Sequence, residues 1–130
     1  MELKLGIKGS QTWTVTPELT ADRVGSGSVC VFATPMMIAL IEKTCLMSVA
    51  PYLEEGQGTV GTQVDVSHSA ATPVGMRVTA ESELVEIDRR RLLFRVTVYD
   101  ESGPVGEGRH ERFVIDPARF QEKADKKRNR

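Results

Sequence analysis

Two cysteines, two histidines and no apolar run of membrane length: what this 130-residue chain has little of already narrows its chemistry. A spanning helix needs about 18 or more consecutive apolar residues, and none occurs. The start of the chain interleaves Glu2, Lys4 and Lys8 with Leu3, Leu5 and Ile7, so the continuous apolar core of a signal peptide is missing and a cytoplasmic protein is expected. Cys30 and Cys45 have no neighbouring cysteine, which suits buried, reduced thiols. Scattered as they are, the cysteines and His68 and His110 form no metal-ligand spacing, so neither a metal nor another cofactor is expected. Gly25-Ser26-Gly27-Ser28 lacks the Gly-Lys-Ser/Thr ending of a phosphate-binding loop, and no Gly-x-Ser-x-Gly elbow is present.

Charge excludes another class. Residues 121–130 carry five basic groups against Glu122 and Asp125, and subtracting that local +3 from the net charge of −1 leaves −4 on the rest. A basic field fit for nucleic acid is absent, and residues 119–130 read as a basic, solvated C-terminal tail. The length and the 40% apolar content suit one globular domain over residues 1–130.

What is present is a single strong helix followed by strands. Thr34 suits a helix N-cap, Pro35 suits the first turn, and Pro51 ends the helix at about Ala50. Before it, residues 10–16 read as a short strand and 21–29 as loop. From residue 59 the period changes to two, giving strands at about 59–70, 76–87, 92–99 and 105–115 with short connections, an antiparallel meander. Asp116 and Pro117 repeat the cap-plus-proline signal for a short terminal helix. One helix that must bury its apolar stripe against a long antiparallel sheet predicts an α+β hotdog fold, a curved sheet wrapped around a central helix. Such a sheet leaves an open edge, expected at residues 59–70, and edge pairing predicts a dimer.

Several residues break the pattern. On a helical projection Ile38, Ile41, Cys45 and Val49 share one stripe with Glu42 inside it, where a carboxylate needs a partner. His68 lies on the strand face of Val60, Val64 and Val66. With Glu42 it would make a general acid–base pair. His110, among Arg109, Glu111 and Arg112 on a more polar strand, reads as structural. Thr34 is a plain cap or a hydroxyl able to attack or hydrogen-bond a carbonyl at a helix start. Alternation turns Gly61 away from the valines, as a sheet bend or as a bare N–H for an oxyanion.

Phe32-Ala33-Thr34-Pro35, Glu42 eight residues after Thr34, and Ala50-Pro51-Tyr52-Leu53-Glu54 together resemble the fluoroacetyl-CoA thioesterase family of the hotdog thioesterase superfamily. So do Gly61-Thr62, His68-Ser69-Ala70-Ala71-Thr72-Pro73, Arg90-Arg91-Leu92 and Gly108-Arg109-His110-Glu111-Arg112, over roughly residues 30–120. The resemblance implies a catalytic set of Thr34, Glu42 and His68, a carbonyl-binding backbone at Gly61 and a substrate contact from Arg112. It also implies a homodimer, or a dimer of dimers, with active sites at the subunit interface where His68 reaches Glu42, and no metal. The chain departs from the family ahead of Thr34: the short run Arg23 to Ser28 stands where the family's fluoroacetyl-CoA enzyme has a longer, aromatic-containing cover. The expectation is therefore a thioesterase releasing CoA from a small acyl-CoA, without fluoroacyl selectivity. A hotdog enoyl-CoA hydratase or dehydratase and a non-catalytic acyl-CoA binding domain are the rival readings. Arg89, Arg90, Arg91, Lys126 and Lys127 are candidates for the CoA phosphates.

Overall fold

The computed structural model describes residues 2–129, and its elements follow the sequence signals with two departures. The strands are β1 (Lys8–Thr14), β2 (Gly58–His68), β3 (Arg77–Asp88), β4 (Arg91–Asp100) and β5 (Gly103–Ile115). The helices are α1 (Ala21–Val24), α2 (Thr34–Val49) and α3 (Pro117–Asp125). Residues 17–24, expected as strand end and loop, instead form a 3₁₀ turn and the one-turn helix α1, which Gly25 closes in the left-handed conformation (φ 90°). At α3 the expected cap is in place, with the Asp116 carboxylate accepting from the amides of Ala118 and Arg119 at 3.1 and 3.3 Å.

All five strands form one antiparallel sheet in the order β1-β3-β4-β5-β2. The second departure is here. A plain meander would seat β2 against β3, whereas β2 pairs with β5 and stands on the far edge. Residues 69–76 make the crossing around the amino end of α2, pinned where the Phe32 amide donates to the Thr72 carbonyl (2.8 Å) and Val31 bridges Pro73. Placing β2 and β1 on opposite edges lets the sheet curl around α2. Met37, Leu40, Ile41, Cys45 and Val49 of the helix are buried in one core with Val78, Ala80, Leu84, Leu92, Phe94, Val96 and Val98. This is the hotdog arrangement expected from the sequence.

The expected stripe on α2 was rotated. Its buried residues are Met37, Leu40, Ile41, Thr44, Cys45 and Val49, so Ile38 and Glu42 lie on its flank, toward β2. The sheet contact is centred between Met37, Leu40 and Thr44, three positions the four-residue stripe omitted. The Glu42 side chain accordingly keeps 44% of its surface exposed within the single chain.

Strand β2 carries a bulge that rewrites its alternation. The register with β5 shifts between Gly61 and Gln63, leaving Thr62 as the extra residue. Before it, Thr59 and Gly61 face the helix opposite Val114 and Arg112; after it, Val64 and His68 do so opposite His110 and Gly106. Strict period two had set Gly61 and His68 on opposite faces. One inserted residue reverses the phase and puts both on the inner face.

Candidate active site

Thr34 is not the cap that the sequence suggests. Ala33 occupies that position without any side-chain hydrogen bond, and Thr34 is the first helical residue with its hydroxyl free for another partner. That partner is His68, at the last position of β2, whose Nδ1 lies 2.7 Å from Thr34 Oγ1. The crossing segment that wraps the start of α2 brings the two together, since Ser69 is tied to the Val105 carbonyl (2.7 Å) one residue after His68. Phe32 meets the imidazole edge-on, with centroids 6.4 Å apart. His68 Nε2 is buried and has no hydrogen-bond partner among the described residues. Burial holds the imidazole below the ordinary histidine value, partly offset by the Ala70 main chain. A neutral imidazole against a hydroxyl is the geometry of a nucleophile and its base.

This pair borders a cleft of about 330 Å³ whose other walls include Ala21, Ser26, Gly27, Val29 and Ala70. Ser26, Gly27 and Val29 of the segment after α1 give this cleft small and aliphatic walls, and Phe32 closes it beside His68. Cys30, expected buried, is exposed in this segment, whereas Cys45 is buried in the core. Burial pushes the Cys45 thiol up to about 12, against the pull of Ser82 and Arg112. Neither thiol has a place beside the Thr34–His68 pair.

Glu42 belongs to a second cluster. Two helical turns separate it from Thr34, about 12 Å of rise, and within one chain it does not pair with His68. Its Oε2 lies 3.5 Å from Arg112 Nη1. Arg112 is buried on β5 and directs Nε to Thr59 Oγ1 (2.8 Å), Nη2 to the Thr59 carbonyl (2.9 Å) and Nη1 to His110 Nε2 (3.1 Å). Most of the guanidinium is therefore spent inside the protein, around Glu42. Gly61 completes the cluster. A Cβ there would stand 2.5 Å from Glu42 Oε2 and 3.1 Å from the His110 ring, so the missing side chain is what lets the carboxylate reach this part of β2.

Gly61→Ala tests that fit directly. The carboxylate is the movable partner and will swing aside, while the stacked His110 ring must yield a few tenths of an ångström, so the variant is expected to fold with a modest loss of stability. Losing the orientation of Glu42 is expected to lower kcat/KM by about 10²-fold or more, from the sensitivity of reacting geometry to ångström displacements. Thermal denaturation and thiol-release kinetics read the two separately, and full activity would show that the approach has no catalytic meaning.

His110, expected to be merely structural, is buried beside this cluster with Nδ1 2.9 Å from the Gln63 carbonyl. Thr59 was not singled out from the sequence at all. The available signal was alternation, which puts Thr59 with Gly61 on β2 and His110 with Arg112 on β5; the register between the two strands, not legible in the sequence, brings the pairs together on one face. Among the basic groups named for CoA phosphates, Arg91 is bound to Glu111 (2.5 Å) and Glu86 (2.9 Å), and Lys126 lies 3.6 Å from Glu122. No cluster of potential metal ligands occurs among the described residues, and no helix there is long and apolar enough to cross a membrane.

Both histidines give stability a pH dependence. Burial is the leading cause that holds His110 below the ordinary 6.5, followed by the Gln63 carbonyl, which raises it, and by the Arg112 charge, which lowers it further; His68 is also held low, mainly by burial. As pH falls through 6.5 the unfolded chain takes up protons that the folded chain refuses, so stability is lost on the acid side of that value and regained above it. Carboxylates held low, such as Glu111 through Thr62 and Arg91, lose their contribution only at lower pH. The urea midpoint at about pH 5.5 should lie below that at about pH 7.5, with a smaller difference in His110→Gln. Equal midpoints in the wild-type protein would contradict the assignment.

Residues 15–118 match the family model described as fluoroacetyl-CoA-specific thioesterase. The fluoroacetyl-CoA thioesterase of Streptantibioticus cattleyicolor is 45% identical over 97 residues, which is 75% of this chain and 70% of that protein. A crystal structure of a fluoroacetyl-CoA thioesterase superposes with a TM-score of 0.92 at 36% identity, covering 98% of each chain. A thioesterase superfamily member from Thermus thermophilus superposes at 0.89 with 29% identity, over 97% of this chain and 93% of that one. The match spans the helix with Thr34 and Glu42, the bulged strand with Gly61 and His68, and β5 up to Arg112, and the chain therefore belongs to the fluoroacetyl-CoA-specific thioesterase family of hotdog-fold proteins.

Proposed function

We propose that this protein hydrolyses a short acyl-CoA thioester to the free acid and CoA. The observation that carries the mechanism is the 2.7 Å contact of Thr34 Oγ1 with His68 Nδ1 at the edge of a cleft. Thr34 attacks the thioester carbonyl while His68 takes the hydroxyl proton. The carbon–sulfur bond of the tetrahedral adduct then breaks, and the departing thiolate recovers that proton from His68. Water attacks the acyl-threonine ester next, giving its proton to Glu42; the bond from the acyl carbon to Thr34 Oγ1 then breaks, and Glu42 passes the proton to that oxygen as the acid leaves. The bare main chain at Gly61 offers its N–H to the oxyanion, a donor typically worth about 3 to 4 kcal/mol of barrier. No metal or other cofactor takes part in this scheme.

In one chain the two clusters stand too far apart for that sequence of events. β2 supplies the remedy, because it is an edge strand with its outer side unpaired. Antiparallel pairing with a second copy, about a two-fold axis near Val64 and Asp65, would set Gly61 and Glu42 of one protomer beside both Thr34 and His68 of the other. The proposed enzyme is thus a homodimer with two composite sites. Mixing inactive Thr34→Ala and Glu42→Gln chains should restore about a quarter of wild-type activity after subunit exchange, since half of the dimers then hold one intact site. No recovery on exchange would place each site within a single chain.

The family's names specify fluoroacetyl-CoA, but here the segment from Ser26 to Val29 brings no aromatic to the cleft, whose aromatic wall is Phe32, edge-on to His68. The substrate is accordingly a small acyl group without selectivity for fluorine. Thiol release across acetyl-, fluoroacetyl-, propionyl- and butyryl-CoA tests this: comparable kcat/KM for acetyl- and fluoroacetyl-CoA supports it, and a large preference for fluoroacetyl-CoA overturns it. Thermal stabilisation by every acyl-CoA with no thiol released would instead favour a binding domain. Loss of enoyl-CoA absorbance without thiol would favour a hydratase. An acyl adduct on Thr34 in His68→Ala supports direct attack, and a fully active Thr34→Ala excludes it.

A further inference from the structure

His110 has both ring nitrogens assigned by its surroundings. A carbonyl can only accept, so the contact with the Gln63 oxygen at 2.9 Å fixes the proton on Nδ1. Nε2 is then a bare lone pair, and the atom facing it at 3.1 Å is Nη1 of Arg112, which can only donate. That same Nη1 lies 3.5 Å from Glu42 Oε2. Phe94 stacks on the imidazole at a 29° interplanar angle, and the ring is 1% exposed, so it has little freedom to turn. The bulge at Thr62 matters here, because it brings Val64 opposite His110 while Gly61 faces Arg112.

From this geometry we infer that His110 is a positioning residue, which holds Nη1 of Arg112 against the Glu42 carboxylate by accepting one of its hydrogen bonds through neutral Nε2. The inference rests on the reading of Glu42 as catalytic. Chemistry explains the residue type. A carboxylate at position 110 would compete with Glu42 for the cation, and a protonated imidazole would repel it. A neutral acceptor holds the arginine without neutralising it. The charged groups that act on the ring are Glu42 from α2 and Arg112 and Glu111 from β5, while β2 presents the Gln63 carbonyl and β4 presents Phe94. Burial and the Arg112 charge keep the ring neutral against the pull of Gln63, Glu42 and Glu111.

Two substitutions separate positioning from mere packing. A glutamine amide oxygen reaches about as far as Nε2 and can accept from Arg112, whereas asparagine ends near Nδ1 and can serve only Gln63. His110→Gln should keep kcat within about threefold, while His110→Asn should lose about tenfold or more in kcat with KM within about threefold. On a Glu42→Gln background His110→Asn should cause no further loss, as expected of a residue that acts through Glu42. Equal kcat for the Gln and Asn variants at equal folded fraction, or a change confined to KM, overturns the inference. Nitrogen-15 NMR of the wild-type imidazoles decides it should the Asn variant fail to fold. His110 must be neutral at about pH 7 with its proton on Nδ1, and an Nε2–H tautomer or a charged ring at that pH rejects it. Failure of the underlying reading has a different signature, wild-type kcat in Glu42→Gln, and that result leaves the tautomer measurement standing.

Discussion

His68→Ala is expected to lower kcat/KM for acyl-CoA hydrolysis by about 10²- to 10⁴-fold, the range associated with removing a general base. The imidazole's side-chain hydrogen bond is to Thr34 at 2.7 Å, the Ala70 main chain also bears on it, and its Nε2 has no partner among the described residues. Removing it leaves the Thr34 hydroxyl, which is exposed and can be solvated by water. The fold should therefore survive, with a melting temperature within a few degrees of wild type, so the lost rate is chemical. Because burial holds His68 below 6.5, the wild-type acid limb attributable to this base should also lie below that pH and vanish in the variant. Thiol-release kinetics across pH provide the check. A variant retaining a third or more of wild-type kcat/KM would remove His68 from the mechanism.

Arg112→Met should damage stability and activity together. The guanidinium is buried at 6% exposure and supplies donors to Thr59 Oγ1, the Thr59 carbonyl and His110 Nε2. Methionine fills part of the volume but leaves those acceptors unmatched, at a cost of about 3 kcal/mol in unfolding free energy. The ion pair with Glu42 adds little to that figure, since the carboxylate is 44% exposed and screened by water. Its importance is orientation. Without Arg112 the carboxylate has no fixed direction near Gly61, and kcat should fall by about 10²-fold or more. Arg112→Lys should rescue neither property, because one ammonium cannot match the planar fork that meets Thr59 twice and His110 once. Urea denaturation and kinetics on the same samples separate the effects. Wild-type stability in Arg112→Met would mean that these hydrogen bonds are energetically idle.

Much of the fold could be read from the chain because it depends on local rules. Proline at 35 and 51 bounded α2 to within a residue, and Asp116-Pro117 located α3. The two turns that join β3, β4 and β5 were visible as polar or glycine-containing breaks in a period-two pattern. The position of β2 was half legible: that it forms an edge follows from the architecture, but its pairing with β5 depends on a crossing that propensity does not encode. For the site, Thr34 and His68 were named on residue type and resemblance, yet their mutual contact was not foreseen. Glu42 stood out for a burial that proved only partial, and its actual neighbours, Gly61 and Arg112, were named separately and for other roles. His110 was set aside because adjacent charges made its strand look polar, when alternation sends only His110 and Arg112 inward from that run.

What the sequence by itself determined is the inventory: one central helix, a long antiparallel sheet, and the hydroxyl, carboxylate, imidazoles and guanidinium available for chemistry. Hydrophobic period, proline geometry and capping act over a few residues and are written in order along the chain. Tertiary structure alone decided which of those groups meet. The bulge at Thr62 reversed the facing of half of β2, the crossing at residues 69–76 carried His68 to Thr34, and the β5 register set Arg112 under Gly61. The physical reason is that one inserted residue or one strand exchange moves a side chain to the opposite face of a sheet at small local cost, so long-range packing selects among arrangements that local pattern leaves nearly equivalent.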